Sequence, residues 1–435
     1  MEKRYYQKEI ETMPLEQIRA LQEEKLKKQV KHVYEHVPYY RDLMDKKGVK
    51  PEDIKTLDDI QKLPFISKYD LRETYPYGML AVPLKDCVRI QSTSGTTGKR
   101  VIAYYTQHDV DLWEECCARA IVAAGGTDED VVQVAYGYGL FTGGLGAHYG
   151  VENVGATVVP MSTGNTKKLI TMMKDFGATG IMCTPSYLLH IAETLYETGE
   201  INNIKLKAAV CGAEPWTEKM RQQIEEKLHL NCHDIYGLSE IMGPGVACDC
   251  IHHKGLHVQE DHFLPEIVSR ETLQPIADGE TGELVFTTLT KEGIPLIRYR
   301  TKDLTSIDRT PCECGRTTAR IARFKGRSDD MLVLRGVNVF PSQIEAALLE
   351  MDGILPHYMI IVDRVNNLDT IEVQVEVEER FFSDEIRELE KLTKKIEGVI
   401  KTAIGLAVKV KLVEPKTLER AQGKSVHVID KRVFD

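Results

Sequence analysis

Apolar residues fall at helical spacing over 14–36, where Leu15, Ile18, Leu21, Leu26, Val30 and Val33 recur on a strongly charged background. That pattern predicts a surface helix laying one stripe on a larger body, with Pro38 ending it. Ser67 is placed to cap a short helix beginning near Tyr69. Two short segments, Val-Arg-Ile at 88–90 and the apolar run 101–105, read as strands on either side of a polar stretch. Then the pattern alternates: helix 110–124, strands 131–135 and 157–160, helix 166–176, strand 180–183, helix 186–196, strand 208–211, helix 217–228, and a short strand ending at Tyr236. Repeated strand–helix units predict a mainly parallel sheet flanked by helices, whose ligands gather beyond the C-terminal ends of the strands. The glycine-rich stretches 136–144, 212–216 and 236–240 fall at those ends.

From 266 to 304 the sequence turns to β-like segments separated by Asp-Gly and Lys-Glu-Gly turns, which predicts a compact β subdomain. Beyond Asp330 come strand 331–334, helix 341–351, strands 358–362 and 370–377, helix 384–400 and strand 407–412. This βαββαβ order predicts a split β-α-β unit folded around its own sheet. The expected class is therefore α/β: a large multi-subdomain N-terminal domain, residues 1–328, with a mainly parallel sheet and a β subdomain, plus a small α+β C-terminal lid, residues 329–435.

Composition narrows the function. The chain has 435 residues, 42% hydrophobic and 28% charged, with net charge −10. No general basic field is present for nucleic acid, so a polyanion must be held by a local site and no DNA or RNA partner is expected. No apolar run approaches the ~18 residues that span a bilayer, and residues 1–6 lead into charged amphipathic sequence, so no membrane partner is expected and the chain reads as cytoplasmic.

The stretch from Ser92 to Lys99 (Ser-Thr-Ser-Gly-Thr-Thr-Gly-Lys) suits a polyphosphate: its glycines let the backbone approach an anion, and hydroxyls, N–H groups and Lys99 supply donors. It is not the common P-loop, because only Thr96 and Thr97 separate Gly95 from Gly98, and Arg100 follows the lysine. Taken alone, such a stretch also reads as a polar turn between strands. Ten cysteines are too sparse for a disulfide scaffold in a chain this long, but their placement is uneven. Cys312-Glu313-Cys314 makes a tight chelating knuckle, and Cys248-Asp249-Cys250 with His257 lies upstream. Cys250, His257, Cys312 and Cys314 are the favoured ligands of a structural Zn2+, with Cys248 in place of Cys250 as the variant and unliganded thiols as the competing account.

With Tyr236-Gly237-Leu238-Ser239-Glu240 in hand, the chain resembles the adenylate-forming acyl-CoA synthetases and is most similar to the phenylacetate–CoA ligases. The 92–99 loop, the 236–240 motif, Tyr299-Arg300-Thr301-Lys302-Asp303, Gly326-Arg327-Ser328-Asp329-Asp330 and Gly423-Lys424 occur in the superfamily's order, and the string 331–345 points to the phenylacetate branch. One departure is Arg100, where proline is usual after the loop lysine. The resemblance implies that a carboxylate attacks the α-phosphorus of ATP to give an acyl-adenylate, and that the thiol of coenzyme A then displaces AMP.

By the same resemblance, Lys424, Lys99 and Glu240 are the catalytic groups, Glu240 through Mg2+. Ser92, Ser94, Gly95, Thr96, Thr97 and Gly98 hold phosphates. Gly212, Ala213, Glu214, Pro215, Asp234, Ile235, Tyr236 and Gly237 surround the adenine, and Asp303 and Arg327 reach the ribose or phosphate. Tyr136, Phe141 and Gly143 face the acid, and Asp329 is the hinge about which the lid rotates. The family also allows a homodimer. Two other readings use the same motifs: an adenylating enzyme that loads a carrier protein, and a non-catalytic nucleotide-binding module.

Overall fold

The computed structural model describes residues 5–93, 100–328, 332–334, 337–365, 368–382, 386–420 and 427–432. The first long helix is Leu15–His36; of the six apolar positions expected on its stripe Ile18, Leu26, Val30 and Val33 are buried, whereas Leu21 is half-buried and Leu15, at the first turn, is exposed. Two polar residues on that stripe tie it to the body: Gln22 Nε2 donates to the Glu260 carbonyl at 2.9 Å and Gln29 Nε2 to the Lys291 carbonyl at 2.6 Å. Pro38 does more than end this helix; it opens the next, Pro38–Lys47, at a position where a missing N–H costs nothing. Ser67 caps Lys68–Glu73 in a reciprocal capping box with Asp70.

Strands Cys87–Ser92 and Ile102–Thr106 pair antiparallel. The main sheet has nine strands, in the order Ile307–Asp308, Arg320–Ile321, Leu256–Val258, Gly243–Cys248, Asn231–Leu238, Ala208–Gly212, Gly180–Cys183, Val131–Val134, Thr157–Pro160. The last five are mutually parallel, and the four before them add antiparallel. A separate antiparallel sheet of Phe263–Val268, Gly282–Thr288 and Tyr299–Thr305 is the β subdomain.

Two expectations need correction. Between Val131–Val134 and Thr157–Pro160 lies the helix Thr142–Val154, so the glycine-rich stretch 136–144 is a loop only as far as Phe141. Its glycines lower intrinsic helix propensity but allow close packing: a Cβ on Gly146 would lie 2.4 Å from the Trp113 ring, and one on Gly150 2.4 Å from Cys117. In the small domain, Leu332–Leu334 pairs with Val337–Val339 in a two-stranded ribbon of its own. The domain's sheet is instead Lys409–Val413, Leu368–Val377, Ile354–Val365 and Val428–Asp430. Helices Pro341–Leu349 and Ile386–Ile404 accompany that sheet, and Ile344, Leu348, Ile396 and Ile400 share its core with Ile360, Val362, Val373 and Val375. Among the described residues, no helix is long and apolar enough to cross a membrane.

Candidate active site

The first strand of the hairpin ends against the stretch that follows strand Val131–Val134. Ser92 N–H donates to the Leu140 carbonyl at 2.8 Å and Gln91 Nε2 to the Phe141 carbonyl at 3.0 Å. Ser92 is 1% exposed, and at the loop's base Thr93 N–H donates to the Val101 carbonyl. Ser94, Gly95, Thr96, Thr97, Gly98 and Lys99 lie outside the described residues, as do Asp329 and Lys424.

Glycine is required where two neighbouring strands end. A Cβ on Gly212 would stand 2.2 Å from the Ile235 carbonyl oxygen, and one on Gly237 1.7 Å from that of Gly243. The chain then turns through Ala213, at φ 73°, to Glu214, whose Oε1 accepts from Ser186 N–H at 2.8 Å. Pro215 follows, ahead of the helix Glu218–Leu228 that Thr217 caps. Asp234, Ile235, Tyr236 and Gly237 all lie on the strand Asn231–Leu238.

Three expected residues are joined in one hydrogen-bonded chain. Tyr236 OH donates to Asp303 Oδ2 at 2.6 Å, and Arg327 Nη1 donates to Asp303 Oδ1 at 3.1 Å. Burial, reinforced by the Asp303 charge and its hydrogen bond, holds the Tyr236 phenol well above its ordinary range, so it remains a donor. The Tyr236 ring lies 4.5 Å from Phe324, centroid to centroid.

The buried Glu240 sits beside this chain's strand with Oε1 3.3 Å from Lys68 Nζ. Beneath it, the fully buried Lys291 donates to the carbonyls of Glu240 at 3.1 Å and Ile241 at 2.7 Å. Burial pushes the Lys291 ammonium down to about 8. Thr142 and Ser239 hydroxyls meet at 3.0 Å, linking the glycine-rich stretch to the same motif. Neither Lys68 nor Lys291 is singled out by the sequence: Lys68 follows a helix cap and Lys291 opens a Lys-Glu-Gly turn, and each is one of 56 basic residues.

The three expected acyl-site residues have different settings. Tyr136 is 3% exposed and packs with Val134, Ala147, Met182, Val210 and Ile235. Phe141 is 36% exposed at the start of helix Thr142–Val154, and Gly143 leaves room for its ring, which a Cβ there would meet at 2.6 Å.

Away from this face, one ligand atom from each of Cys250, His257, Cys312 and Cys314 falls within 4.8 Å of all the others, and all four residues are buried. Cys250 Sγ is 3.9 Å from Cys312 Sγ, and Cys314 Sγ is 3.4 Å from His257 Nε2. Outside this group, Thr318 Oγ1 lies 3.4 Å from His257 Nδ1 and Arg316 N–H donates to Cys314 Sγ. Cys248 is not in the group; its sulfur meets Gln259 Nε2 at 3.6 Å.

Comparison with known proteins agrees with this architecture. Residues 8–289 match the AMP-binding enzyme family and residues 336–432 the AMP-binding enzyme C-terminal domain. The chain is 47% identical to the phenylacetate-coenzyme A ligase of Thermus thermophilus, covering 98% of this chain and 99% of that protein. It is also 47% identical to that of Escherichia coli, covering 97% of each. Among solved structures, 2-hydroxyisobutyryl-CoA ligase in its postadenylation state with 2-HIB-AMP superposes at TM-score 0.92, with 27% identity over 99% of this chain and 93% of that one. The same protein in its thioesterification state with 2-HIB-AMP and CoA gives 0.74, at 28% identity over 98% and 92%. The two domains are thus disposed as in the former. On these matches the chain belongs to the AMP-binding, adenylate-forming enzymes and, among them, to the phenylacetate–CoA ligase family of ATP-dependent acid–CoA ligases that work through an acyl-AMP intermediate.

Proposed function

We propose that the chain joins an arylacetic acid, phenylacetate first, to coenzyme A, releasing AMP and pyrophosphate. The observation that carries the choice of acid is the 47% identity to phenylacetate-coenzyme A ligases over nearly the whole of both chains. Phe141, with Gly143 clearing space for its ring, supports it: an aryl acid gains about 0.5–1.5 kcal/mol per aromatic pair beyond area burial, which a short aliphatic acid forgoes.

The adenylating domain is residues 1–328 and the lid 329–435, hinged at Asp329. Asp303 takes the ribose hydroxyls, its two carboxylate oxygens held in place by Tyr236 and Arg327. Glu240 fits Mg2+: a buried carboxylate carrying one partly exposed ammonium suits an ion that takes most of its oxygens from phosphate and water. When bound, that ion neutralises phosphate charge. Lys99 and the 92–98 loop hold the phosphates, and Lys424 supplies positive charge beside the reacting carboxylate and α-phosphorus. The carboxylate oxygen forms the new bond to phosphorus as pyrophosphate leaves; the thiolate then bonds the acyl carbon as AMP leaves.

We assign the second metal as zinc held by Cys250, His257, Cys312 and Cys314. Three sulfurs and a nitrogen that converge in a buried group suit zinc and fill its four positions, so the ion contributes to folding and leaves no place for a reacting water. The reaction is tested by pyrophosphate release with free CoA across a panel of carboxylic acids. Arylacetic acids should lead; acetate or long-chain fatty acids outperforming every aryl acid overturns the substrate assignment.

A further inference from the structure

The small domain meets the large one at a cluster of charges that none of the family motifs includes. On the helix Pro185–Glu197, Glu193 Oε1 lies 2.9 Å from His357 Nε2, and Glu193 Oε2 lies 3.6 Å from Arg420 Nε. His357 belongs to the small-domain strand Ile354–Val365. Arg420 is itself fixed within that domain: its two terminal nitrogens clasp Glu376 at 2.9 and 2.8 Å, and Glu376 is fully buried. One carboxylate of the large domain therefore holds two separate parts of the lid, one of them already locked in a bidentate pair.

The environment favours the charged form. Burial alone would raise the Glu193 pKa, but the His357 hydrogen bond and the His357 and Arg420 charges outweigh it and hold the carboxyl below its ordinary value. A nearby pair, Lys416 with Glu197 at 2.7 Å, is exposed on both sides and contributes little.

These contacts exist in the domain arrangement that matches 2-hydroxyisobutyryl-CoA ligase after adenylation, and the same ligase superposes less well in its thioesterification arrangement. A lid that turns from one to the other carries His357 and Arg420 away from a helix that stays with the large domain. We propose that Glu193 is a positioning residue: it latches the lid, through His357 and Arg420, in the arrangement that serves adenylation, and so sets how the enzyme divides its time between the two half-reactions. This rests on the two-step ligase reading. Glu193 touches no reacting atom; it acts on the equilibrium between two lid positions, and losing it should shift that equilibrium by what a hydrogen bond to a charged group is worth.

The test measures two rates on the full-length protein: phenylacetate-dependent exchange of pyrophosphate into ATP, and thioester formation from supplied phenylacetyl-adenylate and CoA. Their quotient reports the lid equilibrium whichever arrangement dominates at rest. Glu193→Ala should lower the quotient of adenylation to thioesterification about tenfold, with Glu193→Gln between it and the wild type. His357→Gln, whose amide can still donate to Glu193, should stay within about threefold of the wild type. Should the alanine variant not fold, the glutamine variant alone carries the test, because it keeps the side chain's shape. A quotient unchanged in the Glu193 variants overturns the latch, even if both rates or the melting temperature fall, since that is what a merely structural residue does. A wild-type protein lacking either half-reaction overturns the ligase reading and the latch with it.

Discussion

The cysteine–histidine cluster and the face at the ends of the parallel strands are built from similar polar groups turned in opposite directions. At Cys250, His257, Cys312 and Cys314 the donor atoms converge on one another inside a buried shell, with Thr318 and Arg316 fixing them from outside. At the strand ends the firm bonds lie underneath: Lys291 fixes the backbone of Glu240 and Ile241, and Tyr236 and Arg327 fix Asp303. The Glu240 carboxylate above is reached by Lys68, whose side chain is 37% exposed and can move aside. The first arrangement suits an ion that never exchanges, and the second suits ligands that must arrive and leave.

The largest effect should come from breaking the closed site. Cys312→Ser should remove the zinc and cost roughly 3–5 kcal/mol of stability, while the fraction that remains folded turns over normally. Elemental analysis checks the metal and denaturant unfolding the cost; zinc-free wild-type protein contradicts the assignment, and loss of turnover in the folded fraction contradicts its structural role.

Lys291 sharpens the contrast through pH. Its folded-state pKa of about 8 lies below the 10.5 of an unburied lysine. The unfolded chain therefore binds more protons between these values, and stability rises with pH across that window. Below it, the cost of burying the charge is fully present. Relative to Lys291→Met, the wild type should gain up to about 3 kcal/mol between pH 7.5 and 10.5, measured by urea unfolding. A flat difference contradicts the lowered pKa, because it means that Lys291 keeps its proton in the folded chain across that window.

Tyr236→Phe should have the smallest effect, because it removes one hydrogen bond and keeps the ring. The loss of a donor to a charged acceptor predicts about 1.5 kcal/mol, or roughly a tenfold rise in KM for ATP with little change in kcat. A fall in kcat at constant KM places Tyr236 in the chemical step instead.

How much of this the sequence declares depends on whether a signal is local. The strand–helix alternation was readable because each strand and helix carries its own period, and Thr217 and Ser67 mark helix starts by their own side chains. The grouping of three cysteines and a histidine was readable because its members fall in two short stretches, 250–257 and 312–314, each with ligand types at chelating spacing. Helix Thr142–Val154 was not, since the glycines that let it pack on Trp113 and Cys117 also remove its helical signature. The pairing of Leu332–Leu334 was hidden because period identifies a strand and says nothing about its neighbour. Lys68, Lys291 and Glu193 matter only through residues far away in the chain, Glu240 for the lysines and His357 for Glu193.

The central claim, that an acyl-adenylate forms in the open site before CoA takes part, is tested most directly by exchange of labelled pyrophosphate into ATP with phenylacetate and without CoA. The wild type should exchange, and Lys424→Ala should exchange about a hundredfold to a thousandfold more slowly while still converting supplied phenylacetyl-adenylate to the thioester at near-normal rate. Exchange that requires CoA, or an equal loss of both half-reactions in Lys424→Ala, contradicts the account.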